Sequence, residues 1–220
     1  MLRGLSILLI AMVCIASLAS AGYAAESVSA SALQNKEPGI GETAIGSLVA
    51  DAFRAQAKTD VAFAAAGDLK ACDTIIPAGK VKSEDVVAFL AYPNDTLTAR
   101  AFDGKTILDA LERSVSGQPR PSLGFLQVSG LKYSFDPNKP VGKRIAAATV
   151  GGKAVVAEKT YTVAMMKSLA DGALGYWKVW SKRTTPDKTA LVSSSAAVEN
   201  FLAANSNINY SSLDRISAAK

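Results

Sequence analysis

The most restrictive stretch of this chain is a change of apolar period within its first third. Ile45, Leu48, Val49, Ala52 and Phe53 recur at the spacing of one helix face, so Glu42 to roughly Ala57 is expected as an amphipathic helix. Lys58-Thr59-Asp60 interrupts the pattern, and Val61-Ala62-Phe63-Ala64-Ala65 follows as an unbroken apolar run. A run this short, closed by Gly67-Asp68, is expected as a buried strand ending in a turn.

The rest of the chain continues the mixture. Ser83-Glu84-Asp85 is a helix start, with Val86, Val87, Phe89 and Leu90 as the buried face. Thr96 to Phe102 is strand-like, Asp103-Gly104 a turn, and Lys105 to Val115 a helix with Ile107, Leu108, Leu111 and Val115 on one side. Phe125 to Phe135 is expected as one long strand, with Leu131, Tyr133 and Phe135 on one face. Ile145–Val150, Gly151-Gly152 and Ala154–Val156 form the pattern of a β-hairpin. Tyr161 to Met165 is a further strand and Ser195 to Ala203 a late helix. Helices and strands mixed with a hairpin predict an α+β fold: a single domain whose mixed β-sheet is flanked by helices.

At the N-terminus, Arg3 precedes an apolar run from Leu5 to Leu18, and Ala19-Ser20-Ala21 follows as a small-residue cleavage pattern. Residues 1–25 are therefore expected to be a secretory signal peptide, giving a secreted or periplasmic protein with no membrane attachment after cleavage. Residues 26–40, polar and aperiodic, are expected as a flexible leader, and 41–217 as the domain. Cleavage removes Arg3 and Cys14, lowering the formal charge of +5 by one and leaving Cys72 as a lone thiol, expected as a buried small apolar residue. No dense Lys/Arg run is present, so no nucleic-acid partner is expected.

The sequence contains no histidine. That excludes Ser-His-Asp and Cys-His mechanisms and imidazole-liganded zinc, while leaving carboxylate chemistry and oxygen-liganded metals open. Gly39-Ile40-Gly41-Glu42-Thr43-Ala44 matches a dinucleotide fingerprint only superficially, because the residues before it are polar and include Pro38 instead of forming a strand. Ser129 and Ser168 have no histidine partner, and nothing in the spacing supports a pair between Ser168 and Lys167. The carboxylates are scattered. No catalytic residue, metal ligand or cofactor is assigned.

Several segments together resemble the C-terminal domain of the 5'-nucleotidase family. Glu42 to Ala52 is similar to its "E-x-x-l-G-N-l-x-x-D-A" helix, and Asp60 to Lys70 to "A-D-v-A-l-x-N-x-G-G-I-R". Leu90-Ala91-Tyr92-Pro93-Asn94 stands at "l-P-F-x-N", and Phe102 to Lys105 with Leu111-Glu112 at "l-t-G-x-x-l…L-E". Phe125 to Tyr133 is almost a copy of "F-l-Q-v-S-G-l-x-y". Tyr161 to Ala164 and Gly172 to Tyr176 correspond to "Y-x-v-a" and "G-G-D-G-Y". Order and spacing hold from about Glu37 to about Ile216.

In that family an N-terminal metallophosphatase domain carries the metals and the catalytic dyad, and the C-terminal domain binds the nucleoside and part of the phosphate. The resemblance therefore implies a free-standing substrate-binding domain without its catalytic half. It places one stacking aromatic at Phe125 and the second at Ser168, and the ribose-binding acid at Leu174. The asparagine before the glycine turn falls at Ala65 and the arginine after it at Lys70. Phe125, Gln127, Lys70, Gly67, Asn94, Gly175 and Tyr176 are carried over as the ligand-binding set of a degenerate nucleotide site. Two functions follow from the resemblance. One is an exported, non-catalytic binding module for a nucleoside-like or other small ligand or for a protein partner. The other is a nucleotide-catabolic hydrolase component acting with a separate metallophosphatase protein.

Overall fold

The computed structural model describes residues 27–180 and 192–219. The expected signal peptide lies outside the described residues. In chain order the elements are β1 (Ser27–Ser29), β2 (Leu33–Asn35), α1 (Ala44–Ala57), β3 (Val61–Ala65), β4 (Cys72–Ile76), β5 (Gly79–Val81) and α2 (Ser83–Val87). β6 (Leu97–Asp103), α3 (Gly104–Ser114), β7 (Leu126–Ser129), β8 (Leu131–Phe135), β9 (Ile145–Val150) and β10 (Lys153–Ala154) follow. The last are β11 (Thr160–Met166), α4 (Lys167–Ala170), α5 (Trp177–Trp180), α6 (Ser194–Ala204), β12 (Asn207–Ile208) and β13 (Ile216–Ala218).

The central sheet has the order β6-β11-β3-β7, with β3 and β11 parallel and the outer pairs antiparallel. Every residue of β3 is buried, which is why its sequence is continuously apolar. Its side chains alternate between two cores. Ala62 and Ala64, with Ala164 and Met166 of β11, join α1, α2 and α6 on one face. Val61, Phe63 and Ala65, with Tyr161, Val163 and Met165, join α3, α5 and the second sheet on the other. That second sheet has the order β10-β9-β8-β13 and supplies Leu131, Tyr133 and Phe135 from one face of β8.

Three expectations about elements change. First, residues 27–35 form β1 and β2 in place of an aperiodic leader. β1 lies between β12 and β5, β2 pairs with β4, and Leu33 is buried in the first core. Strands of three residues are too short to show a period, and only their distant partners define them. Second, Asp103-Gly104 is no separate turn: β6 runs straight into α3, and the Asp103 carboxylate caps it by accepting from the Thr106 N–H at 2.8 Å.

Third, Phe125–Phe135 is two strands in different sheets, divided at Gly130. There φ is +70°, and an added Cβ would lie 2.1 Å from the Asp60 carbonyl oxygen. Side chains rarely adopt that backbone, and the clash is with main chain that cannot swing away.

A network around Arg215 ties the C-terminal residues to α1. Its Nη1 and Nη2 donate to the two carboxylate oxygens of Asp51, each at 2.8 Å, and Nη1 also donates to the Val128 carbonyl at 3.0 Å. The Arg215 N–H donates to the Glu42 carboxylate at 2.7 Å, and the Tyr210 hydroxyl to Asp51 at 2.9 Å. A bidentate guanidinium–carboxylate pair fixes direction as well as charge.

Gly130→Ala is expected to lower unfolding free energy by at least about 2 kcal/mol, from the left-handed backbone penalty and the clash together. Urea denaturation checks it; a loss under about 0.5 kcal/mol, the range of an unconstrained surface substitution, would contradict the assigned corner.

Candidate functional site

The strand directions of the central sheet create one edge where four loops converge. β3 and β11 run parallel, so the Gly67-Asp68 turn after β3 and Ser168 after β11 emerge together. β6 and β7 run antiparallel to them, so Asn94-Asp95 before β6 and Leu123 before β7 reach the same edge. Ligands of α/β sheets collect at such carboxyl ends. Here a cleft of about 600 Å³ is lined by Gly67, Asp68, Tyr92, Asn94, Ser168 and Leu174, among others. A second hollow of about 430 Å³, between Lys36–Ile40 and Pro121–Leu123, adjoins it through Leu123.

Local hydrogen bonds hold the cleft walls. The Asp68 carboxylate accepts from the Ala65 N–H at 2.9 Å, closing the turn. The Ala91 N–H donates to the Asp68 carbonyl at 2.9 Å and the Lys70 N–H to the Phe89 carbonyl at 2.7 Å, which lays Tyr92–Asp95 beside that turn. The start of α6 secures the same loop: the Ser194 hydroxyl donates to the Tyr92 carbonyl at 2.8 Å, and the Ser195 N–H to the Pro93 carbonyl at 3.0 Å. Asp95 accepts from the Thr96 N–H at 2.7 Å and the Ser168 N–H at 3.3 Å, pinning two walls together.

Of the residues predicted as ligand contacts, Gly67 and Asn94 line this cleft, as does Ser168 at the position of the second aromatic. Lys70 lies next door, in an apolar hollow of about 440 Å³ with Cys72, Ile75 and Phe89, and its Nζ donates to the Ala88 carbonyl at 3.0 Å. Cys72 is half-buried there, not enclosed. Gly175 packs against the Arg113 guanidinium, beside Leu174, whose carbonyl accepts from Arg113 Nη2.

Three predicted contacts belong to the interior. Phe125 is 0% exposed, so its ring has no solvent-facing side on which a base could stack. Gln127 is equally buried, and both its amide N–H groups and its carbonyl oxygen are engaged by the protein. Nε2 donates to the Pro38 and Gly41 carbonyls at 2.8 and 2.7 Å, and Oε1 accepts from the Thr43 N–H at 3.1 Å. It clamps the segment leading into α1, and Gly46 lacks a Cβ where the Gln127 side chain passes. Tyr176 is stacked on Trp180, centroids 4.6 Å apart, and its hydroxyl donates to the Gly124 carbonyl at 2.7 Å.

The aromatic that does line the cleft is Tyr92, 59% exposed, and the exposed Leu123 lines it too. Sequence reasoning missed it although a signal existed. Tyr92 precedes Pro93-Asn94, a turn pair that places an aromatic at a loop tip, whereas Phe125 opens an apolar strand. Asp68 was also missed as a charged group. It is only 3% exposed, and burial, helped by the nearby Asp95 carboxylate, pushes its pKa up to about 7 against the Ala65 N–H that favours ionisation. Among the described residues no three His, Cys, Asp or Glu side chains come together as a metal-binding group.

A carboxyl with a raised folded pKa stabilises the fold only while protonated there. The contribution is full below the unfolded value near 3.8 and disappears as pH rises through about 7. Asp68→Asn, which keeps the acceptor for Ala65, is therefore expected to raise the melting temperature more at pH 8 than at pH 5. A difference independent of pH would contradict the buried, perturbed carboxyl.

The family described as 5'-nucleotidase, C-terminal domain, matches residues 20–181. The trifunctional nucleotide phosphoesterase protein YfkN of Bacillus subtilis (strain 168) is 30% identical over 144 residues, 61% of this chain and 10% of YfkN. The 5'-nucleotidase precursor from Thermus thermophilus superposes with a TM-score of 0.79 at 25% identity, covering 88% of this chain and 39% of that one. The NAD nucleotidase of Haemophilus influenzae superposes with a TM-score of 0.73 at 18% identity, covering 88% and 38%, a likeness of fold alone. The chain thus spans a tenth of the curated relative's length and about two-fifths of each of these solved structures. With most of its length inside the matched region, the chain belongs to the 5'-nucleotidase C-terminal domain family.

Proposed function

We propose that this chain is an exported, non-catalytic binding module that holds a nucleoside-like small molecule in the cleft between Tyr92, Asp68 and Leu174. The observation that carries the reading is the exposed Tyr92 ring on a 600 Å³ cleft at the edge where all four central strands deliver their loops. A planar base laid on such a ring gains about 1–3 kcal/mol. Asn94 and Ser168 supply polar groups for its edge and sugar. The family membership supports a nucleoside-like shape. The absence of histidine from the sequence supports binding without turnover, and the apolar run Leu5–Leu18 before Ala19-Ser20-Ala21 supports export.

A second reading has its own support: the related nucleotidases extend far beyond the region this chain matches. On that reading a separate metallophosphatase supplies the chemistry and this chain presents the substrate.

Calorimetric titration with adenosine tests the site. Tyr92→Ala is expected to weaken binding at least about fivefold, the lower end of a lost stacking contact, and Phe125→Leu to leave affinity nearly unchanged. Unaltered affinity in Tyr92→Ala would overturn the assignment. The same preparation, given AMP and Mn²⁺, is expected to release no phosphate; release that follows the protein through repurification would overturn the non-catalytic reading.

A further inference from the structure

We propose that the cleft selects a flat ligand bearing positive charge and rejects phosphorylated ones. This rests on the cleft being the ligand site, and it adds the charge the ligand must carry. The ionisable acids lining the cleft are Asp68 and Asp95, and among the described residues no lysine or arginine lines it. Three basic side chains near these segments in sequence or space are committed elsewhere: Lys70 to the Ala88 carbonyl, Lys167 to Asp171, and Arg113 to the Leu174 carbonyl and the Ser116 hydroxyl.

The two carboxylates are held differently. Asp95 uses both oxygens on backbone N–H donors, so it is fixed in the wall. Asp68 uses Oδ2 on Ala65, while Oδ1 has no hydrogen-bond partner among the described residues, although the residue is almost wholly buried. A buried carboxylate with one unused oxygen and a like charge nearby is stabilised by a cation brought into the cavity. Tyr92 provides the complementary aromatic face, since a cation over a tyrosine ring is attracted by its negative π-surface. A phosphate dianion entering the same space meets two carboxylates with no cation among the described lining side chains. The charged and titratable groups around Asp68 are Asp95 from the loop before β6, and the buried Tyr176 with Arg113 behind it. None of them supplies a free positive charge to the cavity.

The test is calorimetry at pH 8 with adenosine, 1-methyladenosine, AMP and benzyltrimethylammonium, a permanent cation on an aromatic ring. The expected order is 1-methyladenosine tighter than adenosine, and adenosine tighter than AMP, with at least about tenfold between the first and last. Asp68→Asn should remove most of the gain of 1-methyladenosine over adenosine. Benzyltrimethylammonium should bind more tightly at pH 8 than at pH 5.5, as Asp68 ionises. AMP binding as tightly as adenosine, or Asp68→Asn leaving the order of ligands untouched, would overturn the proposal. Benzyltrimethylammonium binding that is lost in Asp68→Asn and Tyr92→Ala, with no purine binding at all, would retain cation selection and sink the nucleoside reading. Failure of all four ligands would overturn both.

Discussion

The parallel pair β3 and β11, buried on both faces, is the constraint on which the rest of this structure depends. Strands covered on two sides need two cores, and the alternating side chains of Val61–Ala65 and Tyr161–Met166 belong to both. The helices α1 and α6 and the short α2 cover one side, and α3, α5 and the second sheet cover the other. Because β3 and β11 share a direction, their following turns open at one edge. Because β6 and β7 oppose them, the preceding loops arrive there too. The cleft is a consequence of sheet topology before it is a consequence of any one side chain.

Polar side chains inside this frame act as fasteners. Gln127 joins β7 to the segment entering α1, and the Asp51–Arg215 pair joins α1 to the C-terminal residues. Each spends its hydrogen-bonding capacity on protein partners, as buried polar groups must. Residues of a shared motif can thus be occupied by the fold itself. Gln127 and Tyr176 both direct their polar atoms at backbone groups.

The legibility of the sequence followed the strength of its periods. α1, β3, the β9–β10 hairpin and α6 were evident because their apolar spacing decides their burial. β1 and β2 were not, since three-residue strands owe their existence to partners far along the chain. The break at Gly130 was hidden because an apolar alternation runs across it; only the positive φ sends the chain to another sheet. At the cleft, the turn at Gly67 was legible from its glycine, and Asn94 was placed by the resemblance alone; both line it. Phe125 misled because a motif fixes a residue's place in the chain and not its exposure, which the packing of β7 against the second core determines. Asp68 was invisible as a perturbed acid because its burial and its proximity to Asp95 are properties of the fold alone.

The central claim is that ligand binding belongs to the edge where the four central strands deliver their loops. Amide chemical-shift mapping of the folded chain during titration with 1-methyladenosine tests it most directly. The account predicts that the largest shifts cluster at Gly67, Asp68, Asn94, Ser168 and Leu174, with Gln127 and Phe125 little changed. Shifts concentrated instead around Cys72–Pro77, or around Arg54 and Gly151-Gly152, would contradict it.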